Sequence, residues 1–488
     1  GKDMPAIDYD DARLPDSMLE DDWYRPQYHA APPANWMNEP HALFRYNGKW
    51  HLFYQYNPVG PYWRNICWGH WVSDDMVQWE QVKEAVIPTE GTIAPDGIWT
   101  GNVVFDEKGR PVLLITAGDD TRPNGSTQNV GLAYAKDYSD PYLTEWTIGD
   151  YAVFQTDAMG TKGEFRDAQA FGIGNDRYMV VGGQIDGRGA AHVFRTTADR
   201  LTDWTYMGNL FTPGNYKPEY GTVWEMPNIV PLPYENGAQS GKYLFVFSPQ
   251  HGDNDVWYYI GNFNTSTCRF TADFADAKLM DFGNNVFTGP TVYLDPGAGK
   301  VYICSIMQDQ RTEEDHYNAG WAFVAGLPRE LFLKSDGTLG LKNMDTSSAE
   351  GKQIVSFSSL SASEANNRLS AVNGDLLKID FTITNISGEC GLYLKKSGGE
   401  YARLYFTDSR AGIDTTRFNQ NVRGDFSGEY RRGGTITGTI YIDKALIEAY
   451  FDNSAAISAY CYGRGGGLEV YGNAKFSCTV TAMNSIRN

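Results

Sequence analysis

Ser73-Asp-Asp-Met-Val-Gln-Trp79 follows an apolar run and ends on a tryptophan, and two later segments repeat this arrangement. They are Asp137-Tyr-Ser-Asp-Pro-Tyr-Leu-Thr-Glu-Trp146 and Thr197-Ala-Asp-Arg-Leu-Thr-Asp-Trp204. The tryptophans recur at intervals of about 60 residues, which suits one four-stranded propeller blade with its loops. Five such units fit between residues 25 and 335, so the repeat predicts a five-bladed β-propeller.

Strand-like runs surround the repeat, and a second series of them follows it. Alternating or β-branched runs lie between Gly, Asn and Asp turns, whereas long helical periodicity is scarce. Residues 336–352 are polar and rich in turn residues, and regularly spaced runs then continue to the end of the chain. We therefore predict an all-β protein with a propeller at 1–335, a linker at 336–352 and a β-sandwich at 353–488.

Composition excludes several classes of function. The chain has 488 residues, with 41 Lys plus Arg against 60 Asp plus Glu, and a net charge of −19. Nucleic-acid binding requires a basic surface, and so does docking on an anionic membrane, so neither partner is expected. No apolar run is long enough to span a bilayer. The 14% aromatic content is common in proteins that bind sugars on aromatic faces.

The cysteines and histidines do not form a metal-binding pattern. The six cysteines make no CxxC pair and the seven histidines do not cluster with them, so we predict activity without a metal or other cofactor. A disulfide among Cys390, Cys461 and Cys478 stays open. The acidic, aromatic-rich composition favours a secreted, cell-surface or periplasmic location, although no signal peptide is visible at Gly1.

Three carboxylates stand in unusual local settings. Glu39 lies between Trp36-Met-Asn and Pro40, Asp167 follows Arg166, and Glu225 is flanked by a tryptophan and a methionine. Apolar neighbours favour a protonated carboxyl, as a general acid requires, and an adjacent arginine favours an ionised one. Each residue taken alone fits a structural reading better: a solvated turn for Glu39, a surface ion pair for Asp167 and a solvent-facing edge strand for Glu225.

Taken together, the three acids point to glycoside chemistry. They come from three different predicted blades, and a propeller gathers such loops at one end of its central channel. Two carboxyl groups about 5 Å apart suit a double displacement through a covalent glycosyl-enzyme. A third can hold sugar hydroxyls, and nearby tryptophans can stack on sugar faces. These tryptophans are Trp36, Trp63, Trp68 and Trp99.

Several motifs, in this order along the chain, resemble those of glycoside hydrolase family 32. The matching segments are Trp36-Met-Asn-Glu-Pro40, Trp50-His-Leu-Phe-Tyr-Gln-Tyr-Asn-Pro58, Cys67-Trp-Gly-His70, Trp99-Thr-Gly101, Phe165-Arg-Asp167, Trp224-Glu225 and Leu327-Pro-Arg-Glu-Leu331. Asp443-Lys-Ala-Leu-Ile-Glu-Ala-Tyr-Phe451 is similar to a strand of that family's sandwich domain. The family contains invertases, inulinases, levanases and fructosyltransferases.

The resemblance implies retaining hydrolysis of β-fructofuranosyl bonds in fructan or sucrose-type oligosaccharides. It makes Glu39 the nucleophile, Asp167 the transition-state stabiliser and Glu225 the general acid/base. The positions that match fructose-binding residues of the family are Asn38, Gln55, Trp63, Trp99, Thr100, Arg166 and Trp321.

Five residues depart from the family pattern. Most members carry Asp at the position of Glu39 and Asn-Gly at His41-Ala42; Ala168 replaces a proline and Met226 a cysteine. Endo-inulinases resemble this chain in using Glu as nucleophile and in the stretch Asn65-Ile-Cys-Trp-Gly-His70. This similarity favours an endo-acting fructanase. The alternatives are an exo-acting β-fructofuranosidase or invertase, a fructosyltransferase on the same site, and, more remotely, a non-catalytic fructan-binding module.

Overall fold

A computed structural model describes residues 22–64 and 66–487. The first 21 residues of the predicted propeller domain, and Asn65 of the endo-inulinase-like stretch, lie outside these ranges. The described residues form a five-bladed β-propeller followed by a β-sandwich, which confirms the predicted fold class. No helix in the described part of the chain is long and apolar enough to cross a membrane.

Blades I to III are four-stranded antiparallel sheets in simple sequence order. Blade I contains β1 (Asn35–Tyr46), β2 (Lys49–Asn57), β3 (Cys67–Ser73) and β4 (Glu80–Val86). Blade II contains β5 (Gly97–Phe105), β6 (Pro111–Gly118), β7 (Gln128–Ala135) and β8 (Trp146–Val153). Blade III contains β9 (Phe165–Ile173), β10 (Asp176–Ile185), β11 (Arg188–Thr197) and β12 (Thr205–Asn209).

Blades IV and V complete the ring. Blade IV contains β13 (Val223–Pro231), β14 (Tyr243–Gln250), β15 (Trp257–Asn264), β16 (Arg269–Ala272) and the short β17 (Lys278–Leu279). Next come β18 (Phe287–Asp295), β19 (Lys300–Met307), β20 (Trp321–Ala322), β21 (Val324–Ala325), β22 (Arg329–Leu333) and β23 (Leu339–Asn343). Five of these form blade V, whereas β20 pairs in parallel with β1. This pairing joins the last blade to the first.

The tryptophan repeat marks the turn into the outermost strand of blades I, II and III. Trp79 immediately precedes β4, Trp204 immediately precedes β12, and Trp146 is the first residue of β8. The indole N–H groups of Trp146 and Trp204 donate to the carbonyl oxygens of Leu143 and Leu201, three residues earlier, at 2.6 Å in both cases. The repeated sequence therefore reflects a repeated turn.

Helical structure is short. Within residues 22–64 and 66–487 the helices are α1 (Glu313–Ala319) and α2 (Ala362–Leu369), and single 3-10 turns occur at Asp157–Met159, Pro218–Tyr220 and Ser347–Ala349. The predicted linker, 336–352, contains β23 of blade V, the last of these 3-10 turns and the start of the first sandwich strand.

The sandwich is built around two long, bent strands. Its strands are β24 (Glu350–Leu360), β25 (Leu376–Ser397), β26 (Glu400–Phe406), β27 (Arg410–Asp414), β28 (Asp425–Glu429), β29 (Ile436–Asp443), β30 (Leu446–Phe451), β31 (Ala455–Tyr460) and β32 (Gly467–Met483). The first half of β25 pairs with β29 and its second half with β26, while β32 pairs along both halves. Both strands therefore run through two layers. Side chains of both layers share one apolar core, in which the ring centroids of Phe381 and Phe406 lie 6.3 Å apart.

The two domains are joined by an extensive buried interface. Tyr441, Leu446 and Tyr450 of the sandwich pack in one apolar cluster with residues of blades IV and V. The six cysteines are buried and free, so Cys390, Cys461 and Cys478 form no disulfide here.

Candidate active site

All five innermost strands carry a β-bulge at the corresponding point. At each bulge two residues face one residue of the neighbouring strand. The bulged pairs are Asn38–Glu39, Thr100–Gly101, Asp167–Ala168, Met226–Pro227 and Gly289–Pro290. A bulge redirects side chains that would otherwise alternate across a sheet. Here it places predicted site residues from several blades at one level of the channel.

The bulges contain unusual backbone conformations. Asp167 and Met226 have φ values of 65° and 48°, in the left-handed region that non-glycine residues rarely adopt. Gly289 has φ 56°, and a Cβ atom at this position would lie 2.6 Å from Cγ of Glu39. Strained backbone of this kind is concentrated at functional sites. Blade V therefore contributes a glycine that makes room for the Glu39 side chain.

A layer of buried polar side chains supports the bulges. The Asn102 amide donates to Thr291 Oγ1 at 3.2 Å, and the Asn228 amide donates to the carbonyl oxygen of Pro290 at the same distance. Gln169 donates to the carbonyl oxygen of Ile229 and accepts from its N–H group. These side chains come from four blades and stand directly after four of the bulges. Their hydrogen bonds hold the bulges in register with one another.

Glu39 is a carboxyl group in a largely desolvated, negatively charged setting. Thr100 Oγ1 donates to Glu39 Oε2 at 3.2 Å, and the Gln55 amide donates to the same threonine oxygen. Burial, and then the negative charges of Asp167 and Glu225, raise the pKa of Glu39 to about 8.

Asp167 is held from both sides by backbone and hydroxyl groups. The N–H of Met226 donates to Asp167 Oδ2 at 3.1 Å, and the N–H of Asp167 donates to Thr116 Oγ1 at 3.1 Å. Its side chain is only 5% exposed. Burial and the charge of Glu225 raise the pKa of Asp167 to about 7, although Arg166 acts in the opposite direction. The expected effect of Arg166, which favours an ionised Asp167, is therefore outweighed by burial and by the charge of Glu225.

Glu225 does not lie in the predicted apolar cradle. It is 30% exposed, and its Oε2 accepts from Arg166 Nε at 3.1 Å. Trp224 points away from it, is fully buried and donates its indole N–H to the carbonyl oxygen of Tyr220. Because successive side chains of a strand point to opposite faces, the chain neighbours of Glu225 do not form its surroundings.

The predicted binding residues divide into two groups. Gln55, Thr100 and Arg166 contact one another or the carboxylates directly, and Asn38 shares the bulge of Glu39. The carbonyl oxygen of Trp99 accepts a hydrogen bond from the indole N–H of Trp68. The indole ring of Trp99 packs over Gly97 and Gly118.

The other two tryptophans lie farther out. Trp63 is 54% exposed and lines, with Trp36 and Phe323, a neighbouring cavity of about 410 Å³. Trp321 is 2% exposed and its indole N–H donates to Asp22. This tryptophan supports β1 from behind, where β20 pairs with it, and its side chain has no contact with the three carboxylates.

The structure adds three residues that the motifs do not identify. Glu164, Gln128 and Gln250 all contact the Arg166 guanidinium. Glu164 stands two residues before Arg166, directly ahead of β9, so alternation extended by one residue could have revealed it. Gln128 and Gln250 come from blades II and IV, and nothing in the local sequence indicates their position. Among the described residues no group of three or more His, Cys, Asp or Glu could hold a metal ion.

This arrangement can bind a polyhydroxylated ring and perform acid, base and nucleophilic chemistry. Three carboxyl groups, one guanidinium and several amides and hydroxyls face one another from four blades. Repulsion among the negative charges of the carboxylates favours retention of at least one proton near neutral pH.

The chain matches one known family over nearly all of its length. Residues 29–342 match the model described as "Glycosyl hydrolases family 32 N-terminal domain", and residues 344–485 match "Glycosyl hydrolases family 32 C terminal".

Curated relatives include a fructan 1-exohydrolase of Triticum urartu, 32% identical over 333 residues, which are 64% of this chain and 53% of the relative. A cell wall β-fructofuranosidase of Pisum sativum is 26% identical over 73% of this chain and 68% of its own length. The match thus spans about half the length of the exohydrolases.

Solved structures share the fold along almost the whole chain. Fructan 1-exohydrolase IIa of Cichorium intybus superposes with a TM-score of 0.83 at 20% identity, covering 95% of this chain and 98% of the other. Exo-inulinase of Aspergillus awamori gives a TM-score of 0.78 at 22% identity, covering 96% and 99%. At these identities the likeness establishes the two-domain architecture.

Proposed function

The chain belongs to glycoside hydrolase family 32, and from this premise we propose that it hydrolyses β-fructofuranosidic bonds with retention of configuration. The observation that carries the proposal is the meeting of Glu39, Asp167 and Glu225, from three different blades, at one bulged level of the channel. The proposal is supported by the charges of Asp167 and Glu225, which raise the pKa of Glu39, and by the charge of Glu225, which raises the pKa of Asp167.

In the first step, Glu39 attacks the anomeric carbon of a bound fructosyl unit. The bond from that carbon to the bridging oxygen breaks, and Glu225 gives its proton to the departing oxygen. This leaves a fructosyl ester on Glu39 and a carboxylate on Glu225. In the second step Glu225 takes a proton from water, the resulting hydroxide attacks the same carbon, and Glu39 is released as a carboxylate.

Asp167 and Arg166 complete the proposed mechanism. The Asp167 carboxylate lies beside the site with one oxygen held by the Met226 N–H group. It can accept hydrogen bonds from fructose hydroxyls, and these bonds strengthen as positive charge develops on the ring. Arg166 fixes Glu225 through its 3.1 Å contact.

The proton inventory of the site fits this chemistry. The double displacement needs one protonated carboxyl and two ionised ones at the start. The raised pKa of Glu39, about 8, and of Asp167, about 7, arise from burial and from repulsion within the trio. Glu39 and Asp167 therefore hold protons more tightly than isolated carboxyl groups do. Substrate hydroxyls that replace water around Asp167 and Glu39 can move the proton to Glu225.

We further propose that the enzyme acts on the chain ends of fructans or on sucrose-type oligosaccharides. The fructan-degrading relatives are named exohydrolases, and a solved structure with the same fold is an exo-inulinase. These relatives support the exo-acting alternative over the endo-acting reading suggested by the nucleophile motif.

Product analysis on sucrose, inulin and levan tests the proposal. An exo-acting enzyme releases free fructose from the first minutes without a ladder of intermediate oligosaccharides, whereas an endo-acting enzyme produces the ladder first. Fructosyl transfer would instead lengthen the acceptor. Absence of fructose release from all three substrates, with Glu39→Gln as the inactive control, would contradict the proposed function.

A further inference from the structure

The Arg166 guanidinium lies between two carboxylates, of which the mechanism above uses only one. Its Nε donates to Glu225 Oε2 at 3.1 Å. Its Nη1 donates to Glu164 Oε2 at 2.7 Å. Glu164 is 33% exposed and Arg166 only 12%. The shorter of the two ion pairs is therefore made by a residue with no assigned role.

Two neutral side chains complete the contacts of this cation. Gln128 Oε1 accepts from Nη1 at 3.2 Å, and Gln250 Oε1 accepts from Nη2 at 2.7 Å. These amides come from β7 and β14, so they hold the guanidinium plane from both neighbouring blades. The amides can orient the cation but do not offset its charge. Of the four side chains described above as contacting Arg166, only the carboxylates of Glu225 and Glu164 both orient the guanidinium and offset its charge.

The charges that face this cation can be named completely from the described contacts. Burial on its own lowers the pKa of Arg166, but Glu225, Asp167 and Glu164 together raise it above its ordinary value. Glu39 faces Glu225 and Asp167 from blade I. The cluster thus holds one cation and four carboxyl groups.

Resting on the proposed function, we propose that Glu164 is a positioning residue that holds Arg166 and takes up part of its positive charge, so that Glu225 can carry a proton while in contact with the arginine. A cation beside a carboxyl favours the ionised form. A general acid has to begin in the protonated form. A second carboxylate on the same cation reduces this conflict without breaking the contact that orients the acid.

The pH profile of kcat/KM separates this role from a purely structural one. Glu164→Gln keeps an oxygen that can accept from Nη1 but removes the charge. Arg166 then acts more strongly on Glu225, Asp167 and Glu39, all of which lose protons more readily. Both limbs of the bell-shaped profile should move to lower pH, by about 0.5 unit or more for a partly screened charge at this range.

Two further variants make the comparison specific. Glu164→Asp keeps the charge and should bring the limbs back toward their wild-type positions. Glu107→Gln removes an equivalent charge from the exposed turn between β5 and β6 and should leave the profile unchanged. Glu164→Ala provides a second way to remove the charge, and thermal unfolding confirms that each variant is folded.

The measurement uses sucrose or inulin, whichever the wild-type protein cleaves faster. A downward move of both limbs in Glu164→Gln and Glu164→Ala, with recovery in Glu164→Asp, supports the proposal. Unchanged limbs, limbs that move upward, or a uniform fall in rate at every pH would overturn it. Absence of wild-type cleavage on both substrates would instead count against the proposed function, so the two failures are distinguishable.

Discussion

At the residue scale, the three carboxyls differ most in what surrounds them. Glu225 contacts a cation and is partly open to solvent, whereas Asp167 is enclosed and held by backbone N–H and hydroxyl groups. A residue that exchanges protons with a leaving group and with water needs access to both. A residue that stabilises a developing charge benefits from a fixed, enclosed position.

The two roles are separable by leaving group. Glu225→Ala should slow hydrolysis of natural substrates by about 100-fold or more, because their leaving alkoxides need a proton. Activated aryl fructosides should be affected far less in the first step. Added azide should partly restore turnover, since an anion attacks without a general base. The measurement is kcat/KM on both substrate classes with and without azide.

Asp167→Ala is the matched comparison for that experiment. It should slow both substrate classes alike and show no azide rescue, because it removes stabilisation of the charged ring rather than a proton donor. If Asp167→Ala instead showed the leaving-group dependence and Glu225→Ala did not, the two assignments would have to be exchanged.

Glu39 should make the stability of the fold fall as pH rises. Its pKa is raised from 4.5 to about 8, so the folded state binds this proton more tightly than the unfolded chain does. Ionisation of Glu39 therefore destabilises the native state progressively from pH 4.5 up to pH 8. At pH 8 the free energy of unfolding of Glu39→Gln should exceed that of wild type by about 1 kcal/mol or more, and the variant should unfold at a higher temperature. Near pH 4.5 the two proteins should differ little.

Thermal unfolding at several pH values checks this pattern. Glu107→Gln, on an exposed turn at another part of the propeller, should show no such pH-dependent gain. A Glu39→Gln difference that is constant across the pH range would contradict the electrostatic account of this residue.

At the scale of elements, the five bulges decide where the chemistry lies. A regular strand would send alternate side chains into the blade and the channel, and each bulge changes that alternation at one level. In blade I the next residues reinforce the bend: Ala42 has φ 53°, a conformation that suits the glycine found there in most members of the family.

Gly289 tests whether bulge geometry, rather than any reacting group, positions Glu39, the proposed nucleophile. Gly289→Ala places a methyl group 2.6 Å from Cγ of Glu39 and should lower kcat/KM by about 10-fold or more. Gly337→Ala is the control, because Gly337 also has a positive φ, 85°, but a Cβ atom added there would have no other atom within 4 Å. Both variants should lose about 1 kcal/mol of stability from backbone strain.

Only the first variant should lose activity per folded molecule. The measurement is kcat/KM normalised to the folded fraction. Equal activity in the two variants would mean that Glu39 can reach its position without the room that Gly289 provides.

Local sequence predicts the elements well and their surroundings poorly. The turn before Trp79, Trp146 and Trp204 is a local feature, so its repetition could be recognised without the structure. The contacts of Arg166 with Gln128 and Gln250 join residues far apart in the chain. Trp224 and Met226 were expected to enclose Glu225, but the Trp224 indole is buried and donates to Tyr220, and Glu225 contacts Arg166 instead. Cross-blade contacts of this kind carry no local signal.

At the scale of the whole molecule, buried charges join the sandwich to the propeller. His29 lies between Asp443, at 2.8 Å, and Glu448, at 2.5 Å. Arg329 of blade V contacts Glu448 at 3.1 Å and Asp281 at 2.9 Å. All five side chains are almost fully buried. The second domain therefore contributes to stability through its interface.

Glu448→Gln should destabilise the protein by about 1.5–3 kcal/mol, since it removes one of the two buried carboxylates that His29 and Arg329 each contact. Activity per folded molecule should stay close to wild type. Glu469→Gln is the control: its half-exposed pair with Lys396 at 3.6 Å contributes little. A stable Glu448→Gln protein with greatly reduced kcat would place part of the active site in the sandwich.

The same interface should show a defined pH window. Its neighbours raise the pKa of His29 from 6.5 to about 9 despite burial, so this stabilisation is complete below pH 6.5 and lost as pH rises through 9. The pKa of Glu448 falls from 4.5 to about 2, again despite burial, because of His29 and Arg329, so its contribution is complete above pH 4.5 and lost toward pH 2. The Glu448→Gln comparison is therefore made between pH 4.5 and 6.5, where both contributions are complete.

The most direct test of the central claim is to capture the fructosyl ester on Glu39. In Glu225→Ala an activated aryl fructoside should react in the first step, while the absence of a general base slows release. Acid quenching and peptide mass spectrometry should then find the mass of one anhydrohexose on the peptide that contains Glu39. Turnover of the aryl fructoside without such an adduct, or an adduct on Asp167 instead, would contradict the account.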